Sequence, residues 1–235
     1  MLKDYSETSF KEGEVLLIDK PLAWTSFQAV NKVRWVIKKT FGLKNIKVGH
    51  AGTLDPLATG LLILCTGKET KNIQQYQGLT KEYTGSFFIG ATTPSFDLET
   101  EIDQRFSSEH IDLSLLKSTA ACFLGEQLQK PPIFSAIKKD GKRLYEHARK
   151  GDSVEITPRK IIIESFEITN YQQHLAEFRV RCSKGTYIRS LAVDFGKALN
   201  SGAYLSALRR TKIGDFEVKN AMSPSGFEAL ISSAH

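Results

Sequence analysis

Residues 176–182 alternate strictly: Ala176, Phe178, Val180 and Cys182 are apolar, while Glu177, Arg179 and Arg181 between them are charged. Successive side chains of a strand point to opposite faces, so such a segment puts one face in a core and leaves the other in water. It is the clearest half-buried strand in the chain. Strand composition recurs over 14–18, 83–89 and 160–169, and the run 60–66, apolar and bounded by glycine, reads as a buried strand. Helical patterns lie between them. Over 26–41, Phe27, Val30, Val33 and Ile37 recur on one face, with Thr25 or Ser26 as N-cap and Gly42 placed to end the helix. Segments 112–123 and 188–199 also read as helices. A mixed α and β architecture without internal repeats follows, and 235 residues suit one large domain or two small ones.

Hydrophobic residues at 41% and charged residues at 25% are the proportions of an ordinary globular protein, which excludes disordered and fibrous classes. The formal charge of +6 permits a polyanionic partner. Its distribution says more. Between Asp19 and Asp55 no acidic residue occurs, yet Lys20, Lys32, Arg34, Lys38, Lys39, Lys44 and Lys47 all do. A second basic cluster, Lys130, Lys138, Lys139, Lys142, Arg143, Arg149 and Lys150, falls in a long loop over 130–152 with Phe134 and Tyr145 interleaved. An acidic segment from Asp97 to Asp112 offsets both. Cys65, Cys122 and Cys182 are far apart and odd in number, and they stand in apolar surroundings, which argues for free thiols and a reducing, cytoplasmic compartment. No apolar run approaches the ~20 residues of a membrane span.

Glycine fingerprints for dinucleotides, a phosphate loop, Cys-x-x-Cys pairs and metalloprotease motifs are all missing, and the five histidines have no ligand spacing, so no metal site is expected. The densest feature is Gly49-His50-Ala51-Gly52-Thr53-Leu54-Asp55-Pro56-Leu57-Ala58-Thr59-Gly60. Glycines and a proline before a buried strand describe a backbone forced through tight turns. Pro56 biases Asp55 away from the right-handed helical region, so its carboxylate either organises the turn or projects from the loop.

This stretch resembles the catalytic motif of the TruB family, the bacterial tRNA pseudouridine synthases. Asp19-Lys20-Pro21 with Trp24-Thr25-Ser26 resembles the family's N-terminal motif, and Lys81-Glu82-Tyr83 its tyrosine motif. Pro131-Pro132-Ile133-Phe134-Ser135-Ala136-Ile137-Lys138 with Gly141-Lys142-Arg143-Leu144-Tyr145-Glu146 resembles its RNA-gripping loop. Cys182-Ser183-Lys184-Gly185-Thr186-Tyr187-Ile188-Arg189 and Leu208-Arg209-Arg210 complete the set in family order.

The resemblance implies an α+β pseudouridine synthase fold: a mixed, largely antiparallel sheet flanked by helices, with the loop over 130–152 as an inserted RNA-binding thumb. It implies isomerisation of uridine to pseudouridine in the T-loop of tRNA, at position 55, without a cofactor. Asp55 is then the nucleophile, at either C1′ of the ribose or C6 of uracil. Tyr83 stacks on the target base and is a candidate to take the C5 proton, and Arg189 pairs with the catalytic carboxylate. Tyr187 and Leu208 line the base pocket, Leu208 at a helix end; His50 contacts RNA and Lys20 supports the motif. Lys138, Lys142, Arg143, Tyr145 and Arg149 grip RNA.

Departures from the family pattern are Ala23 where glycine is usual, and Pro94-Ser95-Phe96-Asp97 in place of a Thr-rich and Asp-rich run. The latter is expected to change how that loop meets RNA. Only residues 211–235 follow Arg210, too few for the C-terminal RNA-binding domain of PUA type that many relatives carry. A single catalytic domain over 1–235, acting as a monomer on the T-stem-loop of tRNA with no membrane or protein partner, is the resulting expectation.

Overall fold

The computed structural model describes residues 5–135, 138–139, 142–143, 154 and 156–233. Two compact units are present, one comprising Met1–Tyr83 and Arg209–His235, the other Thr84–Leu208. Six helices, α1 Glu7–Glu12, α2 Ser26–Thr40, α3 Ile73–Gly78, α4 Leu113–Ala121, α5 Ile188–Ala198 and α6 Pro224–Ser233, are found among the described residues. The main strands are β1 Val15–Lys20, β2 Val48–His50, β3 Ala58–Thr66, β4 Lys81–Ile89, β7 Gly125–Gln129, β10 Arg159–Gln172, β11 Leu175–Cys182, β12 Ala203–Ile213 and β13 Phe216–Glu217. Two short hairpins add β5 Ala91–Thr92 with β6 Gln104–Arg105, and β8 Lys138–Lys139 with β9 Lys142–Arg143. Strands β4 and β12 contribute residues to both units. No described helix is long and apolar enough to cross a membrane.

In the first unit the strand order is β1-β3-β12, with β2 also on β3 and β13 on β12. Strand β3 is antiparallel to β1 and β2, with Leu16 opposite Leu64 and His50 opposite the same residue. The apolar run of β3 is explained by burial on both faces. Leu62 and Leu64 join a cluster with Phe10, Ile18, Val33, Ile37 and Phe227, drawn from α1, β1, α2 and α6. Leu61, Ile63 and Cys65 join Ala51 and Ile213, with Ile73, Tyr76 and Phe216 packed against them.

Helix α2 starts at Thr25, whose side chain accepts from the Gln28 N–H while the Gln28 side chain accepts from the Thr25 N–H. Its end lies at Phe41, followed by Gly42 in the left-handed region at φ 62°. The predicted apolar face needs one correction. Phe27 is 65% exposed, and the buried stripe consists of Ser26, Ala29, Val30, Val33, Val36 and Ile37. Phe27 sits about 100° around the cylinder from Ser26, past the edge of that stripe.

The second unit has strand order β12-β4-β11-β10-β7. Exposed and buried residues alternate along the whole of β11, as its sequence requires. The buried side carries an aromatic cluster: Phe87 of β4 stacks on Phe178 of β11 with ring centroids 4.2 Å apart. Phe195 of α5 meets Phe166 of β10 at 5.3 Å and Phe123, beyond α4, at 5.9 Å. Helix α5 therefore packs on this face together with α4, whose Leu116 and Ala120 are buried against β10. On the wet side Arg181 pairs with Glu164 across β11 and β10 at 2.7 Å.

Two further expectations change. Cys65 and Cys182 are buried, but Cys122 is exposed at the end of α4. Leu208 lies within β12, not at a helix end.

Candidate active site

The loop between β2 and β3 is fixed from several sides by buried side chains of the first unit. Ser26 lies at the first turn of α2, where its Oγ accepts the Leu54 N–H at 2.8 Å and donates to the Leu54 carbonyl at 3.0 Å. One residue past Asp55, the Pro56 carbonyl accepts from the Ala23 N–H at 2.9 Å and from Lys20 Nζ at 3.4 Å. Ala23 holds φ 63°, the conformation that explains glycine as the usual residue there. Arg210, 1% exposed, reaches three carbonyls: Leu61 at 2.7 Å, Gly52 at 3.1 Å and Thr53 at 3.4 Å. Its fork of donors suits carbonyls that a tight turn leaves without ladder partners. Asp55 is half-buried between these braced neighbours, and its carbonyl accepts from the Ala58 N–H.

Lys20 ends β1 with its side chain fully buried, and Nζ also donates to the carbonyls of Trp24 at 2.5 Å and Pro21 at 3.0 Å. Burial pulls its pKa down to about 8; the Asp55 carboxylate opposes that shift and the Arg210 guanidinium adds to it. The preceding Asp19 faces the other side of the strand and holds Arg209 through two parallel contacts at 2.6 and 3.1 Å. His50 stands at the end of β2. Burial, then Arg210, lowers its pKa against a hydrogen bond that the ring donates to the Gly52 backbone, so the neutral form is favoured. Its Nδ1 is buried and finds no partner among the described residues. Tyr83 is buried on β4.

In the second unit Arg189 occupies the first turn of α5, 5% exposed. It forms an ion pair with Asp97 at 3.4 Å and donates to the carbonyls of Phe134 at 2.8 Å and Ser95 at 3.3 Å. Within the Pro94–Asp97 departure Pro94 is exposed while Ser95 and Asp97 are buried, and Asp97 balances a cation that the helix N-terminus disfavours. Tyr187 is the N-cap of α5, and its backbone exchanges two hydrogen bonds with the buried side chain of Gln129 at 2.8 and 3.1 Å. Leu208 is half-buried on β12.

The first unit thus brings Lys20, His50 and Asp55 to one loop, with Tyr83 at its boundary, and the second holds Tyr187, Arg189 and Leu208. Lys138, Lys142 and Arg143 fall on the β8–β9 hairpin. Tyr145 and Arg149 lie outside the described residues. Sequence reasoning missed the supporting roles of Ser26, Asp97, Gln129 and Arg210. Ser26 and Arg210 stood inside quoted motifs, so their position was a usable signal. Among the described residues no group of three or more His, Cys, Asp or Glu could hold a metal ion.

The fold is that of the pseudouridine synthases. The chain superposes on one in a crystal structure of a Cbf5–Nop10–Gar1 complex with a TM-score of 0.66 and 30% identity. That match covers 90% of this chain and 51% of the other, so the chain spans about half the length of that solved relative. A chain in an archaeal box H/ACA sRNP Nop10–Cbf5 complex aligns at a TM-score of 0.67 and 25% identity, covering 97% of this chain and 56% of that one. Within this class, residues 38–188 match the model described as TruB family pseudouridylate synthase, N-terminal domain, and the chain belongs to that family. It is 66% identical over 220 residues to tRNA pseudouridine synthase B of Flavobacterium johnsoniae, covering 93% of this chain and 96% of that protein. The protein of the same name from Phocaeicola vulgatus is 54% identical, over 93% of each chain.

Proposed function

We propose that the protein isomerises uridine to pseudouridine in the T-loop of tRNA, with the Asp55 carboxylate as nucleophile. The observation that carries this reading is the immobilised backbone around a half-buried Asp55, with the buried ammonium of Lys20 near its carboxylate. A nucleophile held in this way loses little freedom on reaching the reacting atoms. The isomerisation breaks the N1–C1′ bond, forms a C5–C1′ bond and moves one proton from C5 to N1. No oxidant, reductant or energy source is needed.

Tyr83 is assigned to stacking on the target base and to the C5 proton, and Arg189 to keeping the nucleophile ionised. His50, Tyr187, Leu208 and Lys20 are assigned to holding the nucleotide. Lys138, Lys142 and Arg143, with Tyr145 and Arg149, are assigned to the RNA backbone. A uridine inside a folded T-loop must leave its stack at a cost of a few kcal/mol. Stacking on one aromatic ring returns ~1–3 kcal/mol, which is of the size required. The same reading places the reaction in the cytoplasm, by a monomer.

Incubation with unmodified tRNA transcript, followed by mapping of pseudouridine along the product, tests the proposal. The wild type is expected to convert the T-loop uridine, whereas Asp55→Asn binds the transcript but leaves it unmodified. Conversion by Asp55→Asn at the wild-type rate would overturn the assignment.

A further inference from the structure

The buried stripe of α2 accounts for its place in the core, but not for Trp35 on its outer side. Of the two tryptophans, Trp24 packs against the core of the first unit, whereas Trp35 remains 48% exposed. Leaving a large apolar side chain in water forgoes ~1.5–3 kcal/mol of burial, so an exposed indole invites a functional reason. Its neighbours are cations. Lys32 and Lys39, three residues before and four after, set Nζ 4.7 and 4.8 Å from the ring centroid. Arg34 and Lys38 line the same shallow groove, with Asn31 and Leu43 completing it.

Carboxylates are scarce here. Lys32 pairs with Glu228 of α6 at 2.6 Å, and among the described residues Arg34, Lys38 and Lys39 form no ion pair. Lys39 lies over the indole without such a pair, so a nucleotide base that displaces its ammonium stacks on the ring while adjacent phosphates meet Lys39, Arg34 and Lys38. Flanking phosphates repeat along a strand, as the cations do along the helix.

We propose that this face of α2 is a second RNA contact, a stacking platform on Trp35 for one unpaired base of the tRNA, with neighbouring phosphates on Arg34, Lys38 and Lys39. The proposal rests on the assignment of tRNA as substrate. Trp35 stands nine residues past Ser26, which braces Leu54 beside Asp55. At 1.5 Å and 100° per residue that is roughly 14 Å along the helix axis and on the opposite side of the helix, a path several nucleotides span. The platform thus extends grip on the substrate beyond the nucleotide that reacts.

Equilibrium binding of unmodified tRNA transcript to the full chain, followed by tryptophan emission, tests this. The wild type should be quenched on binding, and Trp35→Ala should lose that quench and bind on the order of tenfold more weakly. Trp35→Phe should keep most of the affinity. Lys38→Glu with Lys39→Glu should lower the dependence of log affinity on log salt by about two contacts. Wild-type affinity and salt dependence in all these variants would overturn the proposal. Quenching by polyglutamate as strong as by tRNA would also overturn it and assign the face to an acidic protein. The two proposals fail separately: an absence of pseudouridine leaves these binding measurements readable, and unchanged binding leaves pseudouridine formation standing.

Discussion

The ammonium of Lys20 is a buried cation whose three hydrogen bonds all go to backbone carbonyls. These groups satisfy its protons without neutralising its charge, so burial dominates and the pKa falls to about 8. The consequence for stability has a definite sign. A lysine whose folded pKa is depressed releases its proton before the unfolded chain does, so the unfolded state binds more protons between pH 8 and its ordinary value of 10.5. Folding should therefore become more favourable across that window, by an amount on the order of 1–3 kcal/mol. Urea unfolding of wild type and Lys20→Met at a series of pH values checks this: the wild type should gain on the variant as pH rises from 8 to 10.5. A difference that stays constant would show that the ammonium is not held as the geometry indicates. Arg210 and Ser26 obey the same logic of buried carbonyls and amides that need partners. Neither could be recognised from residue type alone, because a serine near a helix start reads as an N-cap and an arginine in Arg209-Arg210 reads as surface charge.

At the scale of elements, β3 and β11 were legible because their patterns have a single physical reading: a continuous apolar run buried on both faces, and a strict alternation buried on one. The loop carrying Asp55 was legible through its turn residues. Strand β12 was not, although it lies between β3 and β4 in the strand order. Its Ala, Leu, Arg and Lys are good helix formers, and pairing on both sides overrides that preference. Strand β7, Gly-Glu-Gln-Leu-Gln, lacks the branched residues that mark strands and is held by its ladder to β10. The site was divided likewise. Asp55 and Lys20 stand in recognisable motifs, whereas the pairing of Asp97 with Arg189 joins segments more than ninety residues apart, as the contact of Arg189 with the Ser95 carbonyl shows. Where β3 meets β12, Gly60 has φ 105°, and a Cβ there would lie 2.3 Å from the Arg210 carbonyl oxygen. Gly60→Ala should therefore separate the strands and displace Arg210 from the Asp55 loop, costing on the order of 3 kcal/mol or more by strain and lost hydrogen bonds. Thermal unfolding and pseudouridine formation should fall together in this variant; a wild-type melting temperature would show that the approach of the strands is looser.

For the whole molecule, where the +6 net charge is placed matters more to an RNA than its size. One member of the acidic segment, Asp97, is buried against Arg189 and offers little field to solvent, while Lys38, Lys39, Lys44 and Lys47 are exposed on and beyond α2. Glu99, Glu101, Asp103, Glu109 and Asp112 stay exposed in the acidic segment, so the stretch on and beyond α2 acts as a local basic patch and not as part of a general excess of exposed cations. Each phosphate neutralised releases condensed counterions, so affinity should fall steeply and linearly on logarithmic axes as salt rises. With about four phosphate contacts, binding of tRNA should weaken on the order of a hundredfold between 50 and 200 mM monovalent salt. Titration of unmodified transcript at several salt concentrations measures the slope directly. A slope near zero would mean that shape and base contacts carry the affinity and that the basic clusters are merely solvated. A steep slope shared by Asp55→Asn would locate the electrostatic grip outside the reacting carboxylate, because that substitution removes one negative charge and no cation.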